Sequence, residues 1–128
     1  MEISKDKGFE SLIVWQKAHQ FVLDVYKQTK LYPKEELFGL VSQYRRAAVS
    51  IAANIAEGYG KKSPKDKLRF YNIAEGSINE CLYYIILSKD LNYISEKDSN
   101  KLYEELIIIK KLLCSYCQSL LKNTSADY

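Results

Sequence analysis

Four stretches of this 128-residue chain place apolar and small residues three and four positions apart, and no other pattern in the sequence competes with that one. Trp15, Ala18, Val22, Val25 and Thr29 make the first stretch, and Leu37, Val41, Tyr44, Ala48, Ile51 and Ile55 the second. Leu68, Tyr71, Ala74, Ile78, Leu82 and Ile85 make the third, and Leu102, Leu106, Ile109, Leu113, Tyr116 and Leu120 the fourth. Such spacing lays one apolar stripe along each helix, close to a coiled-coil seam. No stretch alternates apolar and polar residues long enough to predict a strand. With only 5 Gly and 2 Pro, the chain also lacks the turn residues of a sandwich or barrel. The expected fold class is all-α.

Local chemistry predicts where the helices stop. Pro33 ends the first helix or starts the second, and Glu35 and Glu36 then favour the positive end of helix two. Gly58 and Gly60 close that helix. Ser63-Pro64-Lys65-Asp66 reads as an N-cap, a proline at the first helical position and an acid in the first turn. Ser95-Glu96-Lys97-Asp98 repeats the cap and the acid after a turn at Asn92-Tyr93. Connections of about three to five residues force neighbouring helices antiparallel. The expectation is an up-down-up-down four-helix bundle over residues 9–122, a flexible N-terminus over 1–8 and a frayed C-terminus over 123–128. Asn54-Ile55-Ala56-Glu57-Gly58 echoes as Asn72-Ile73-Ala74-Glu75-Gly76. A glycine inside a helix costs roughly 1 kcal/mol against alanine, so Gly76 is expected to have a packing reason.

Composition excludes several classes. Hydrophobic residues at 47% and charged residues at 27% argue against disorder. No apolar run approaches the roughly 20 residues that span a bilayer. The first seven residues mix charges and lead into no apolar signal core. The expected location is the cytoplasm, with no membrane partner. Cys81, Cys114 and Cys117 are expected to be reduced. Cys114-Ser-Tyr-Cys117 is set deep in the last helix and lacks two further zinc ligands, so it reads as packing rather than metal or redox chemistry. The lone histidine, His19, has no glutamate three positions before it, which argues against a di-metal bundle site and places it near Trp15 instead. No metal, cofactor or catalytic residue is expected.

Charge is unevenly spread. Residues 1–26 sum to −1, residues 27–69 to +6 and residues 70–128 to −2. Within the basic middle, Lys61, Lys62, Lys65, Lys67 and Arg69 fall across nine residues, offset only by Asp66. They span a turn and the start of helix three, whose free N–H groups also attract anions. Tyr59, Phe70 and Tyr71 flank the run as candidates to stack on bases. The bland alternative is a solvated turn. Arg45, Arg46, Glu57, Glu75 and Glu80 are candidates for structural ion pairs, with Arg46–Glu80 or Arg46–Glu75 the leading pairing. An acid/base catalytic pair is the sharper alternative, but no nucleophile or phosphate loop accompanies it. Ile107 and Ile108, with Tyr83, Tyr84, Ile86 and Leu87, exceed the three apolar positions per heptad that a monomer needs. That excess predicts a homo-oligomer, in which the basic turn is repeated around a ring.

The run from Gly39 to Gly60, Gly-Leu-Val-Ser-Gln-Tyr-Arg-Arg-Ala-Ala-Val-Ser-Ile-Ala-Ala-Asn-Ile-Ala-Glu-Gly-Tyr-Gly, resembles the signature of the 23S rRNA intervening-sequence protein family. Val14 to Ala18, Tyr32-Pro33 and Ala74-Glu75-Gly76-Ser77 match its other patches, so the resemblance covers about residues 9–121. Ala52 departs from the pattern, where many members carry proline. The resemblance implies an antiparallel four-helix bundle assembling into a homopentameric barrel. It implies a gene within an intervening sequence of a bacterial 23S rRNA gene, or elsewhere in the chromosome. A related branch, the accessory variability protein of diversity-generating retroelements, is similar in fold and binds nucleic acid and a reverse transcriptase. The family names no catalytic residues. The expected function is therefore non-enzymatic binding of structured RNA, or of DNA, through the basic turn. The alternative is a scaffold that docks a partner enzyme such as a reverse transcriptase.

Overall fold

The second and third connections follow the predicted chemistry. Ser63 Oγ accepts the Asp66 N–H at 3.1 Å, with Pro64 at the first helical position. Ser95 Oγ accepts the Asp98 N–H at 3.1 Å. Between them Asn92 takes up a positive φ of 63°, a conformation asparagine tolerates better than most residues. The two serine caps start α3 (Pro64–Asp90) and α4 (Glu96–Ser125), which follow α1 (Ile13–Thr29) and α2 (Leu40–Tyr59) in a computed structural model that describes residues 8–125. Short 3-10 turns at Phe9–Ser11 and Lys34–Glu36 precede α1 and α2. Among the described residues there are four α-helices and no strand. The expected flexible N-terminus lies outside the described residues except for Gly8. Of the expected frayed end, residues 123–125 continue α4 and residues 126–128 lie outside.

The first connection departs from expectation. Ten residues separate Thr29 from Leu40. Pro33 neither ends α1 nor starts α2 but heads the 3-10 turn, and Glu35 and Glu36 sit in that turn. Leu37 falls outside α2 and is exposed. The reason is Tyr32, whose ring is buried with Leu40 and Val41 and lies 5.3 Å from the Tyr93 ring. Glu36 accepts the Tyr93 hydroxyl at 2.9 Å and ties the same loop to the α3–α4 turn. Side-chain anchoring thus replaces the tight turn that the proline suggested.

α2 touches α1 and α3, and α4 touches the same two helices from the other side. Every residue of the predicted α2 stripe except Leu37 is buried, as are Leu102, Leu106, Ile109 and Leu113 of α4. In α1 the stripe shifts, and Val14 and Phe21 are buried while Trp15 and Val22 pack only at its edge. Ser77 Oγ donates to Ser50 Oγ at 2.8 Å across the α2–α3 interface, and the Tyr44 and Tyr84 rings stand 5.9 Å apart. Arg45 Nε donates to Thr29 Oγ1 at 2.9 Å and its guanidinium lies over the Tyr26 ring, joining α2 to α1. Gly58 and Gly76 part company here. A Cβ on Gly58 would stand 2.5 Å from Tyr71 Cε1, so the helices meet closely there. A Cβ on Gly76 would meet no atom of another helix or side chain within 4 Å, so its expected packing reason is not found among the described residues. Among the described residues no helix is long and apolar enough to cross a membrane.

Candidate nucleic-acid interface

Where α2 ends, its last carbonyls face outward without helical partners. Lys67, one turn into α3, reaches back to them. Its ammonium donates to the Tyr59 carbonyl at 2.7 Å and to the Gly58 carbonyl at 3.3 Å, beside the Tyr59 ring. A cation at this spot also complements the negative end of the helix dipole. Lys61 is half-buried, 3.7 Å from the Glu57 carboxylate one turn earlier and 5.1 Å from the Phe70 ring centre. Arg69 is exposed, its guanidinium 5.3 Å from the same ring centre. Lys62 and Lys65 are exposed and have no hydrogen bond or ion pair among the described residues. The five predicted cations therefore share one end of the α2–α3 hairpin but divide by role. Lys67 and Lys61 serve the fold, Arg69 leans on Phe70, and Lys62 and Lys65 point charge into solvent.

The aromatic flank does not offer what the sequence suggested. Tyr71 is 1% exposed and meets Tyr116 edge to face, so it cannot stack on a base. The Phe70 ring has Lys61 and Arg69 near it, and the Tyr59 ring has Lys67. Cations already occupy the ring surroundings that a base would need. What remains is a pair of solvent-facing cations, Lys62 and Lys65, at the N-terminal end of α3.

The leading ion pair is also corrected. Arg46 forms neither the Arg46–Glu80 nor the Arg46–Glu75 pair; it is exposed and has no ion pair among the described residues. Glu80 is exposed and is approached by the Tyr84 hydroxyl at 3.5 Å. Glu75 instead accepts from Cys114 Sγ at 3.0 Å across α3 and α4. Arg46 and Glu80 turn outward on their helices, and two long side chains in water gain little by meeting. The Glu75 carboxylate raises the Cys114 thiol above the ordinary range, and burial pushes Cys117 up to about 11. Both are therefore poor thiolate sources at neutral pH. His19 stacks on Trp15 at 5.0 Å, as its position suggested. No group of three or more His, Cys, Asp or Glu among the described residues could hold a metal ion.

Sequence reasoning missed Glu105. It lies in clefts along the α1–α4 seam, lined by Lys17, Gln20 and Asp24 among others. Desolvation, and then the neighbouring Asp24, hold its carboxyl up at about 7. Only a helical register across two distant segments would have brought Asp24 and Glu105 together on paper.

The family model for the 23S rRNA-intervening sequence protein matches residues 10–115 of the chain. The chain belongs to that family. A solved structure extends the match in three dimensions. It is a protein of unknown function from the S23 ribosomal protein family of Bacteroides thetaiotaomicron VPI-5482, 27% identical, with a TM-score of 0.76. The alignment covers 83% of this chain and 96% of that one, so the two proteins share most of the helical domain. No curated protein matches the chain.

Proposed function

We propose that this member of the intervening-sequence family is a non-enzymatic protein that binds structured RNA through phosphate contacts at the α2–α3 turn. The observation that carries the reading is the pair Lys62 and Lys65, solvent-facing and without internal partners beside the Ser63 cap. Two such cations per chain bind weakly, so the reading includes a homo-oligomer, with five copies as the resemblance implies, that sets the turns around one rim. The contacts of α2 with α3 and of α1 with α4 support an up-down-up-down arrangement, in which all the turns of a ring lie at one end. Contacts of this kind carry little sequence information.

The test is binding of a labelled hairpin RNA across a salt series, with the protein's mass measured by light scattering. Affinity is expected to fall steeply between about 50 and 200 mM salt. Lys62→Glu/Lys65→Glu is expected to weaken binding at least tenfold while leaving mass and helicity unchanged. Unchanged affinity in that variant sinks the reading. The scaffold alternative has its own support at the other end of the bundle, where Phe38 is 92% exposed between α1 and α2. Absence of RNA binding at low salt transfers the weight to it.

A further inference from the structure

Cys114 and Cys117 lie one turn apart on α4, both half-buried and both free thiols. Cys114 Sγ donates to Glu75 Oε1 of α3 at 3.0 Å. Cys117 lines an open groove of about 400 Å³ on the same seam, together with Leu68, Arg69, Asn72, Glu75 and Leu121. Burial, then Glu75, then Cys114 raise the Cys117 thiol, so the two sulfurs and the carboxylate stand within electrostatic reach of one another. An S–H is a weak hydrogen-bond donor, and a carboxylate partner alone does not account for a thiol at position 114.

The spacing selects what can join the two sulfurs. Side chains three apart on a helix have Cβ atoms about 5–6 Å apart. A disulfide needs about 3.5–4.5 Å, so it would distort α4. Two metal–sulfur bonds of about 2.3 Å each, the length of a zinc thiolate bond, span about 4.6 Å between the sulfurs and leave the helix as it is. Zinc takes four ligands, and no group of three or more His, Cys, Asp or Glu among the described residues supplies such a set. That shortage does not count against a soft monovalent ion, which accepts two thiolates in a line.

We propose that Cys114 and Cys117 form a two-coordinate thiolate site for Cu(I) on the α3–α4 seam. Binding breaks two S–H bonds, forms two Cu–S bonds and releases two protons, with no change of oxidation state. Glu75 Oε1 is the first acceptor for the Cys114 proton, and the groove beside Cys117 leads to solvent. Two thiolates around Cu(I) leave one negative charge beside Glu75. Lys110, which favours the Cys114 thiolate, and Arg69, which borders the groove, offset it. The site is separate from the α2–α3 turn, and the proposal rests neither on RNA binding nor on oligomeric state.

The experiment titrates the reduced full chain, without oxygen, against Cu(I) held by bicinchoninate, a coloured competing chelator. Wild type is expected to take one Cu(I) per chain and to gain an ultraviolet thiolate-to-metal absorption, with mass and helicity unchanged. Cys114→Ser and, separately, Cys117→Ser are each expected to lose more than the roughly 10–100-fold in affinity that an outer-shell partner is worth. Cys81→Ala, altering the third thiol in the core, is expected to bind as wild type does. Without any substitution, Cu(I) is expected to shield Cys114 and Cys117 from iodoacetamide, read by peptide mass. No uptake by wild type, uptake undiminished in either serine variant, or alkylation of either cysteine undiminished by Cu(I) overturns the proposal. So does Cu(I) that joins two chains, since the site then lies between molecules.

Discussion

Lys67 reaches from the first turns of α3 to the Tyr59 carbonyl, 2.7 Å away, and so closes the end of α2 with a side chain from the next helix. A cation that the sequence groups with phosphate-binding candidates is committed to a carbonyl. Lys67→Met keeps the apolar stem and removes the ammonium. It is expected to lower unfolding free energy by about 1 kcal/mol in urea titration. It is also expected to reduce RNA affinity less than Lys62→Glu/Lys65→Glu does. A variant as stable as wild type would show that the carbonyls are served equally well by water.

Gly58 and Gly76 predict opposite outcomes for the same substitution. Alanine in a helix ordinarily gains about 1 kcal/mol over glycine. At Gly58 the new Cβ would stand 2.5 Å from Tyr71 Cε1 and 2.9 Å from Cδ1, in a ring that is itself buried. Gly58→Ala is therefore expected to cost roughly 1–3 kcal/mol by overpacking. Gly76→Ala is expected to raise the stability of the isolated chain, because nothing stands in the way. Thermal unfolding of the two variants side by side decides the matter.

The Tyr44 hydroxyl is fully buried and has no hydrogen-bond partner among the described residues. Burial also raises its phenol above the ordinary range. Removing an unsatisfied polar atom while keeping the ring releases a desolvation cost. Tyr44→Phe is expected to gain about 1 kcal/mol. A loss of similar size, measured by chemical denaturation, would mean that the hydroxyl has a partner after all.

Glu105 makes stability depend on pH in a stated direction. Its carboxyl titrates at about 7 in the folded chain against an ordinary value of 4.5, owing to desolvation and then to Asp24, with Lys101 and Lys17 opposing. The folded state therefore holds a proton that the unfolded state has released between those values. Its contribution is present below about pH 4.5 and is lost as the pH rises through about 7. Glu105→Gln is expected to flatten this part of the stability profile. An unchanged slope between pH 4.5 and 7 would locate the linkage elsewhere.

What could be read from the sequence was whatever depends on neighbours along the chain. The α2 stripe from Val41 to Ile55, the Ser63 and Ser95 caps and the stacking of His19 by Trp15 all follow from spacings of three or four residues. Leu37 and Pro33 misled because the burial of Tyr32 against Leu40 and Val41 outweighed a local turn preference. The basic cluster was legible as a cluster, since five cations in nine residues must lie together. Their separate tasks were not, because Lys67 and Lys62 differ only in which carbonyls stand within reach. The expected Arg46–Glu80 pair fails because nearness along adjacent helices does not fix the angle around a helix, and both side chains are exposed. An error of one position in that angle turned an expected internal pair into two outward charges.

Trp15 is the chain's single tryptophan, held edge to face by Phe9 and parallel by His19, both at 5.0 Å. Its fluorescence therefore reports on the local packing around the start of α1, where Trp15 borders the core. Circular dichroism at 222 nm sums over all four helices instead. Agreement between the two melting curves would mark a single cooperative unit. An earlier fluorescence transition would show that the chain can release its first helix while the α2–α3 hairpin and its lysines stay assembled.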